Sequence, residues 1–224
     1  MNILEGLNEA QKSAVTASDG PLLILAGAGS GKTKTLTHRI AYLIHEKGVW
    51  PTQILAVTFT NKAAKEMRDR LWTLIEDVEG NGFAPRNFMP WMGTFHGICV
   101  RLLRQDGPAI DVPSNFIIYD EEDRQALIKQ AMRQLGISDS SLKPRAVSSA
   151  ISSAKNEMIG PAEFASGANY PFQQNVAKIY AEYEKQRKNA KALDFDDLLL
   201  ETVHLLQEVP AIREKWQKQF QQIF

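Results

Sequence analysis

The sequence predicts an α/β fold in which a parallel sheet carries helices on both faces and is interrupted by an all-α insertion. Three observations predict it. Short apolar runs alternate with helical stripes through the first part of the chain, and a glycine-rich turn joins the first run to the first long helix. After Asp106 the pattern turns almost wholly helical, until apolar density rises again from Leu193. Strands that alternate with helices in this way are joined by right-handed crossovers, which cover both faces of the sheet.

Each element has its own reason. Pro21-Leu22-Leu23-Ile24-Leu25-Ala26, bounded by Gly20, reads as a strand buried on both faces. A helix over 32–47 places Leu36, Ile40, Leu43 and Ile44 on one face, and Gly48 stops it. Ile54-Leu55-Ala56-Val57-Thr58-Phe59 is a second strand. Either Thr60 or Asn61 then caps a helix striped with Ala64, Met67, Leu71, Leu74 and Ile75. A Gly- and Pro-containing loop over 80–90 leads to the run Trp91-Met92-Gly93-Thr94 and a helix from about residue 96 to 104. Phe116-Ile117-Ile118-Tyr119 is one more strand.

Three amphipathic helices follow. The first, over 121–135, is capped by Asp120 and stopped by Gly136, with Ala126 or Leu127, Ala131 and Leu135 on one face. The second, over 144–158, carries Val147, Ile151, Ala154 and Met158, and the third, over 172–190, carries Val176, Ile179, Tyr180 and Tyr183. Their stripes can bury one another. Beyond Leu198-Leu199-Leu200 comes a helix with Ile212 and Trp216, and Gln222-Ile223-Phe224 reads as the start of a strand. The expected division is therefore residues 1–119, a helical insertion at 120–190, and a return to the first domain at 191–224.

Composition narrows the class. The chain has 224 residues, 26 Lys plus Arg against 26 Asp plus Glu, 44% hydrophobic residues and one cysteine, Cys99. That hydrophobic content with balanced charge excludes intrinsic disorder. One thiol forms no internal disulfide, and no basic leader precedes an apolar run at the N-terminus, so a cytoplasmic setting is expected. The longest apolar stretch falls well short of the roughly 20 residues that span a bilayer, so no membrane association is expected. Zero net charge requires any nucleic-acid contact to come from a local surface.

Ala26-Gly27-Ala28-Gly29-Ser30-Gly31-Lys32-Thr33 is a phosphate-binding loop with Ala26 at the position usually held by its first glycine. Small residues with free backbone dihedrals let successive N–H groups converge on phosphate oxygens. Lys32 is placed to reach the β- and γ-phosphates, Thr33 to coordinate Mg²⁺, and the helix N-terminus adds its partial positive charge. Gln11, ahead of the loop in Leu7-Asn8-Glu9-Ala10-Gln11, has an acceptor beside two donors, the pattern that pairs with the N6 and N7 edge of adenine. By chemistry alone that signal is weak. Hydrolysis also needs a carboxylate at a strand end to hold the metal and orient water. Asp120 and Glu121 either serve that role or open the next helix, and the helix cap is favoured; Asp194 is read as a cap as well.

The ordered series of these segments resembles the N-terminal part of UvrD/Rep-type superfamily 1 DNA helicases. It comprises Leu7-Asn8-Glu9-Ala10-Gln11, the Ala26 to Thr33 loop, Ala56-Val57-Thr58-Phe59-Thr60-Asn61-Lys62-Ala63-Ala64 with Glu66-Met67, Gly93-Thr94-Phe95-His96, and Leu193-Asp194-Phe195-Asp196-Asp197-Leu198. The resemblance implies a RecA-like P-loop NTPase fold with ATP and Mg²⁺ as cofactors. ATP contacts fall on Gln11, Ala26, Gly27, Ala28, Gly29, Ser30, Gly31, Lys32, Thr33 and Lys34, with Lys32 and Thr33 catalytic. DNA contacts fall on Phe59, Thr60, Asn61 and Lys62 and on Thr94, Phe95 and His96, where an aromatic ring stacks on a base and polar groups hold phosphate. The bland alternatives are that Phe95 is core and that Thr60 or Asn61 only caps a helix.

The implied activity is ATP-driven 3′ to 5′ translocation on single-stranded DNA with unwinding of duplex DNA, and repair or replication proteins as partners. In such helicases the strand-ending acidic pair follows a segment resembling Gln221-Gln222-Ile223-Phe224, and a second lobe supplies the arginines that contact the γ-phosphate. The chain is therefore read as the first motor lobe with its helical insertion, hydrolysing nucleotide negligibly by itself. Two other classes stay open: a small P-loop nucleotide kinase, and a nucleotide-independent binding module. The latter would use the basic residues Lys185, Arg187, Lys188 and Lys191, for which a solvated helix face is the plainer reading.

Overall fold

The computed structural model describes residues 2–18, 20–76, 84–85 and 87–224. Its elements run α1 (Glu9–Thr16), α2 (Lys32–His45), β1 (Ile54–Thr58), α3 (Asn61–Glu76), β2 (Met92–Thr94), α4 (Phe95–Asp106), β3 (Ile117–Ile118), α5 (Glu121–Gln134), α6 (Pro144–Asn156), α7 (Pro161–Ser166), α8 (Pro171–Asn189), β4 (Ala192–Leu193), α9 (Phe195–Glu208), α10 (Pro210–Gln219) and β5 (Gln222–Ile223). The chain divides into two units, residues 1–98 with 215–224, and residues 99–214.

In the first unit β1 lies centrally in a parallel sheet of order β2-β1-β5. Ala56 pairs with Met92, Val57 with Gly93 and Thr58 with Thr94 on one side, and Ile54 with Gln222 and Leu55 with Ile223 on the other. Ile40, Ala41, Ile54, Ala56, Met67, Leu71, Met89 and Met92 are buried together, with Leu36, Ile44, Leu74 and Ile75 packed on them. These include most of the expected stripes of α2 and α3, whose 3.6-residue period turns one face inward. Helix α2 ends two residues before the expected limit, with Gly48 at φ +66° allowing the chain to reverse. Of the expected 80–90 loop, residues 80–83 and 86 lie outside the described residues.

The expected strand at 21–26 does not form. Leu22, Leu23 and Leu25 are exposed, the last two by 80% and 87%, and the segment joins no sheet. A strand exists only through hydrogen bonds to a neighbour, and the segment pairs neither with β1, which lies between β2 and β5, nor with the outer edges of those two strands. The apolar run has strand chemistry without a strand partner among the described residues.

In the second unit β3 and β4 form a short parallel pair. Helices α5, α6 and α8 bury Leu127, Ile128, Ala131, Met132, Val147, Ile151, Ala154, Val176, Ile179, Tyr180 and Tyr183 against one another. Leu127, not Ala126, is the inward residue; Leu135 and Met158 fall beyond their helices and are exposed. The Asp120 carboxylate accepts the Asp123 N–H at 2.9 Å, and Asp123 returns a bond to the Asp120 N–H, so Asp120 caps α5. Helix α7, which sequence periodicity did not suggest, is only six residues long. A second cluster gathers Cys99, Leu103, Val112, Phe116, Leu193, Leu198 and Leu205.

Candidate nucleotide and nucleic-acid site

The glycine-rich loop lies wholly in the first unit. Gly29 and Gly31 sit at φ +75° and +84°, left-handed values that an L side chain resists, and Gly31 is the N-cap of α2. The first intrahelical bond of α2 runs from the Thr35 N–H to the Gly31 carbonyl. No side chain caps this end. The N–H groups of Lys32, Thr33 and Lys34 therefore lack an intrahelical acceptor and point out of the helix, the arrangement that receives an anion.

The loop closes on itself. Lys32 Nζ donates to the carbonyls of Ala26 at 3.0 Å and Gly27 at 2.7 Å, and Ser30 Oγ donates to Gly27 O at 2.7 Å. A phosphate would take over the lysine by offering anionic oxygens in place of neutral carbonyls, a stronger acceptor for the same ammonium. Thr33 is exposed beside this turn. Lys34 faces elsewhere: its Nζ donates to Gly6 O at 2.7 Å.

Gln11 lies against the loop, with both ends of its carboxamide engaged. It is the third residue of α1, and its Oε1 accepts the Asn8 N–H at 3.1 Å in a capping box. Its Nε2 donates to Ser30 O at 3.0 Å. A Cβ on Gly31 would lie 2.8 Å from that nitrogen, so glycine there serves the approach of the carboxamide as well as the backbone turn.

The two expected DNA-contacting segments meet because β1 and β2 are parallel neighbours, so that their C-terminal ends open on the same edge of the sheet. In open α/β sheets that edge is where ligands bind. Phe59 is 94% exposed and Phe95 45% exposed, with ring centroids 5.9 Å apart, so Phe95 is not a core residue. Thr60 Oγ1 accepts the Ala63 N–H at 3.1 Å, which settles the capping of α3, and Thr94 Oγ1 accepts the Gly97 N–H at 3.2 Å. Asn61 and Lys62 are exposed and His96 is half-buried. An exposed aromatic pair flanked by hydroxyls and an ammonium can stack bases and hold phosphate together. Among the described residues no strand of this sheet ends in a carboxylate side chain, and no three His, Cys, Asp or Glu side chains stand close enough to hold a metal ion.

The residues that sequence reasoning missed lie in the second unit. Lys155 Nζ is within 2.7 to 2.9 Å of carboxylate oxygens of Glu184, Asp194 and Asp197, the two aspartates buried and Glu184 partly so. Arg187 Nε lies 3.1 Å from Asp197, its Nη2 2.6 Å from Glu184, and Tyr183 OH donates to Asp194 at 2.6 Å. Burial disfavours charge on Asp194, yet Lys155 and the hydrogen bonds to Asp194 outweigh it and hold its carboxyl below the ordinary range. At Asp197 burial prevails and pushes the carboxyl up to about 7 against the pull of Lys155 and Arg187. Asp194 caps α9 as expected, accepting the Asp197 N–H at 2.8 Å. Arg187 is not part of a solvated basic face. The signal was present in the periodicity, since Lys155 and Arg187 each occupy a position in the apolar stripe of their helix.

A glycine-rich turn that opens a long helix, beside a parallel sheet crossed over by helices, defines a P-loop NTPase lobe. The profile of the UvrD/REP helicase N-terminal domain matches residues 7–224, and the chain belongs to that family. It is 45% identical over 221 residues to the ATP-dependent DNA helicase PcrA of Bacillus subtilis (strain 168), covering 99% of this chain and 29% of that protein. Identity is 43% over 220 residues to the PcrA helicase of Leuconostoc citreum, covering 98% of this chain and 28% of the relative. Against PcrA of Staphylococcus aureus (strain COL) it is 44% over 221 residues. The chain thus spans less than a third of the length of these relatives.

Proposed function

We infer that the chain is the ATP-binding portion of an ATP-dependent DNA helicase. The observation that carries this reading is the placement, within one unit, of the phosphate-type loop and of the exposed Phe59 and Phe95 pair at the ends of neighbouring strands. The loop N–H groups and Lys32 bind the triphosphate, Thr33 offers its hydroxyl to Mg²⁺, and Gln11 reads adenine by exchanging its Ser30 contact for the base. The metal, held there by the Thr33 hydroxyl, would supply positive charge against the negative charge that develops on the phosphates. Phe59 to Lys62 and Thr94 to His96 hold single-stranded DNA. Nucleotide-driven changes in the loop alter that grip and move the strand, with 3′ to 5′ polarity and unwinding of duplex DNA following from the family. Residues 120–190 form an insertion, and the setting is cytoplasmic.

The test is steady-state ATP hydrolysis with and without single-stranded DNA, comparing this chain with one extended to the length of the PcrA relatives. The expected result is DNA-stimulated turnover in the extended chain, abolished by Lys32→Ala, and negligible turnover in this chain. Turnover in the extended chain that DNA does not change, or phosphoryl transfer to a small acceptor, would refute the helicase reading.

A further inference from the structure

Helix α1 has eight residues, too short to persist by its own propensity, since isolated helices below roughly 12 residues are marginal in water. Its last carbonyls have no intrahelical donor. One side chain meets them. Arg39 of α2, 4% exposed, places Nη1 3.1 Å from each of the carbonyl oxygens of Ala14, Val15 and Ala17. A cation at a helix C-terminus also lies at the favourable end of the helix dipole. The segment leading into α1 is held from the same helix. His38 Nδ1 lies 2.6 Å from Ile3 O, and Lys34 Nζ donates to Gly6 O.

These contacts matter for Gln11 because its carboxamide lies close against the loop. Its Nε2 reaches Ser30 O at 3.0 Å, and even a methyl group on Gly31 would collide with it. The carboxamide reaches the loop only if α1 keeps its axial position on α2. The phosphate cradle is different: it is built from the N-terminal N–H groups of α2 and from Lys32, whose ammonium bonds to Ala26 and Gly27 within the loop and not to α1.

We propose that Arg39 is a positioning residue for base recognition: by capping the C-terminus of α1 it fixes Gln11 over the loop, and so sets the preference for an adenine nucleotide without touching the nucleotide. The inference rests on the nucleotide reading of the loop given above. Binding of the base and binding of the triphosphate are then separable, and Arg39 acts on the first alone. Lysine at this position keeps a cation near the carbonyls but not the planar fork, and restores the preference in part.

The experiment measures equilibrium dissociation constants for Mg-ATP and for Mg-tripolyphosphate, which lacks the base, with the unmodified chain, Arg39→Met, Arg39→Lys, Gln11→Ala and the Arg39→Met/Gln11→Ala double variant. Circular dichroism at 222 nm is recorded for each. The unmodified chain is expected to favour ATP over tripolyphosphate. Arg39→Met should lower that preference by about tenfold, the scale of one good hydrogen bond, and leave tripolyphosphate binding within twofold. Arg39→Lys should fall between, and carries the test if Arg39→Met does not fold. The double variant should lose no more than Gln11→Ala, as expected of two residues acting through one contact.

An unchanged ATP preference in both Arg39 variants, equal loss of ATP and tripolyphosphate, or additive losses in the double variant would overturn the proposal alone. Failure of the unmodified chain to bind either ligand would overturn the nucleotide reading, and the proposal with it.

Discussion

Replacing Lys155 with methionine removes the one ammonium that touches Glu184, Asp194 and Asp197 and leaves the packing volume nearly unchanged. In the native chain Lys155 and Arg187 face these three carboxylates, and the Lys155 side chain is 1% exposed, so solvent cannot take its place. Breaking a buried pair by removing one partner costs about 3 to 5 kcal/mol, because the partner charge is left without compensation. Against a domain stability of about 5 to 15 kcal/mol, that is a large fraction.

The pH dependence fixes the mechanism. Without the cation the Asp194 and Asp197 carboxyls should titrate above their unfolded values near 4, while Arg187 still holds Glu184, so the folded variant binds more protons than the unfolded chain. Groups raised in this way stabilise at low pH, and their contribution is lost as pH rises. The deficit of Lys155→Met relative to the native chain is therefore larger at pH 8 than at pH 5. In the native chain Asp194 has the opposite sign, since its depressed carboxyl stabilises above its unfolded value and is lost on acidification. Asp197, raised to about 7, loses its contribution as pH rises from about 4 through 7. Urea unfolding followed at 222 nm at both pH values measures the difference. A deficit below about 1 kcal/mol at pH 8, or one independent of pH, would refute the reasoning.

Three further outcomes are expected. Gly31→Ala forces a φ of +84° on an L residue and crowds Gln11, so it should cost about 1 to 2 kcal/mol of stability and abolish nucleotide binding, as read by urea melts and ATP titration. Phe59→Ala should weaken single-stranded DNA binding by about 1 to 3 kcal/mol in a fluorescence anisotropy titration, with an unchanged melting temperature because the ring is 94% exposed. Asp120→Ala should cost about 1 kcal/mol of stability as the loss of an N-cap, with ATP titration unchanged; a lost Mg²⁺ dependence of nucleotide binding would revive Asp120 as a metal ligand.

Local chemistry was legible in the sequence wherever one element decides its own structure. The caps at Asp120 and Asp194, the turn at Gly31 and the stripes of α3 and α8 all follow from residues within a few positions of one another. The convergence of Phe59 on Phe95 was legible as two separate motifs, but their 5.9 Å approach is set by the pairing of β1 with β2, which no single segment encodes. Residues 21–26 misled because an apolar run records what a strand would bury and not whether a neighbour exists. The Lys155 network was hidden because Asp194 and Asp197 already had a sufficient local role in the capping box of α9. Their second role depends on a lysine some forty residues earlier.

The uncovered stretch Leu22 to Leu25 also governs the colloidal behaviour of the chain. Its side chains are uncharged and apolar, and its backbone belongs to no sheet, the features of an adhesive segment. The formal net charge is zero, and the sequence isoelectric point is about 6.9, so mutual repulsion is weakest near neutral pH. Concentration in neutral buffer brings such segments together, and a single charge introduced at Leu23 would keep molecules apart at no cost to a core in which that residue takes no part.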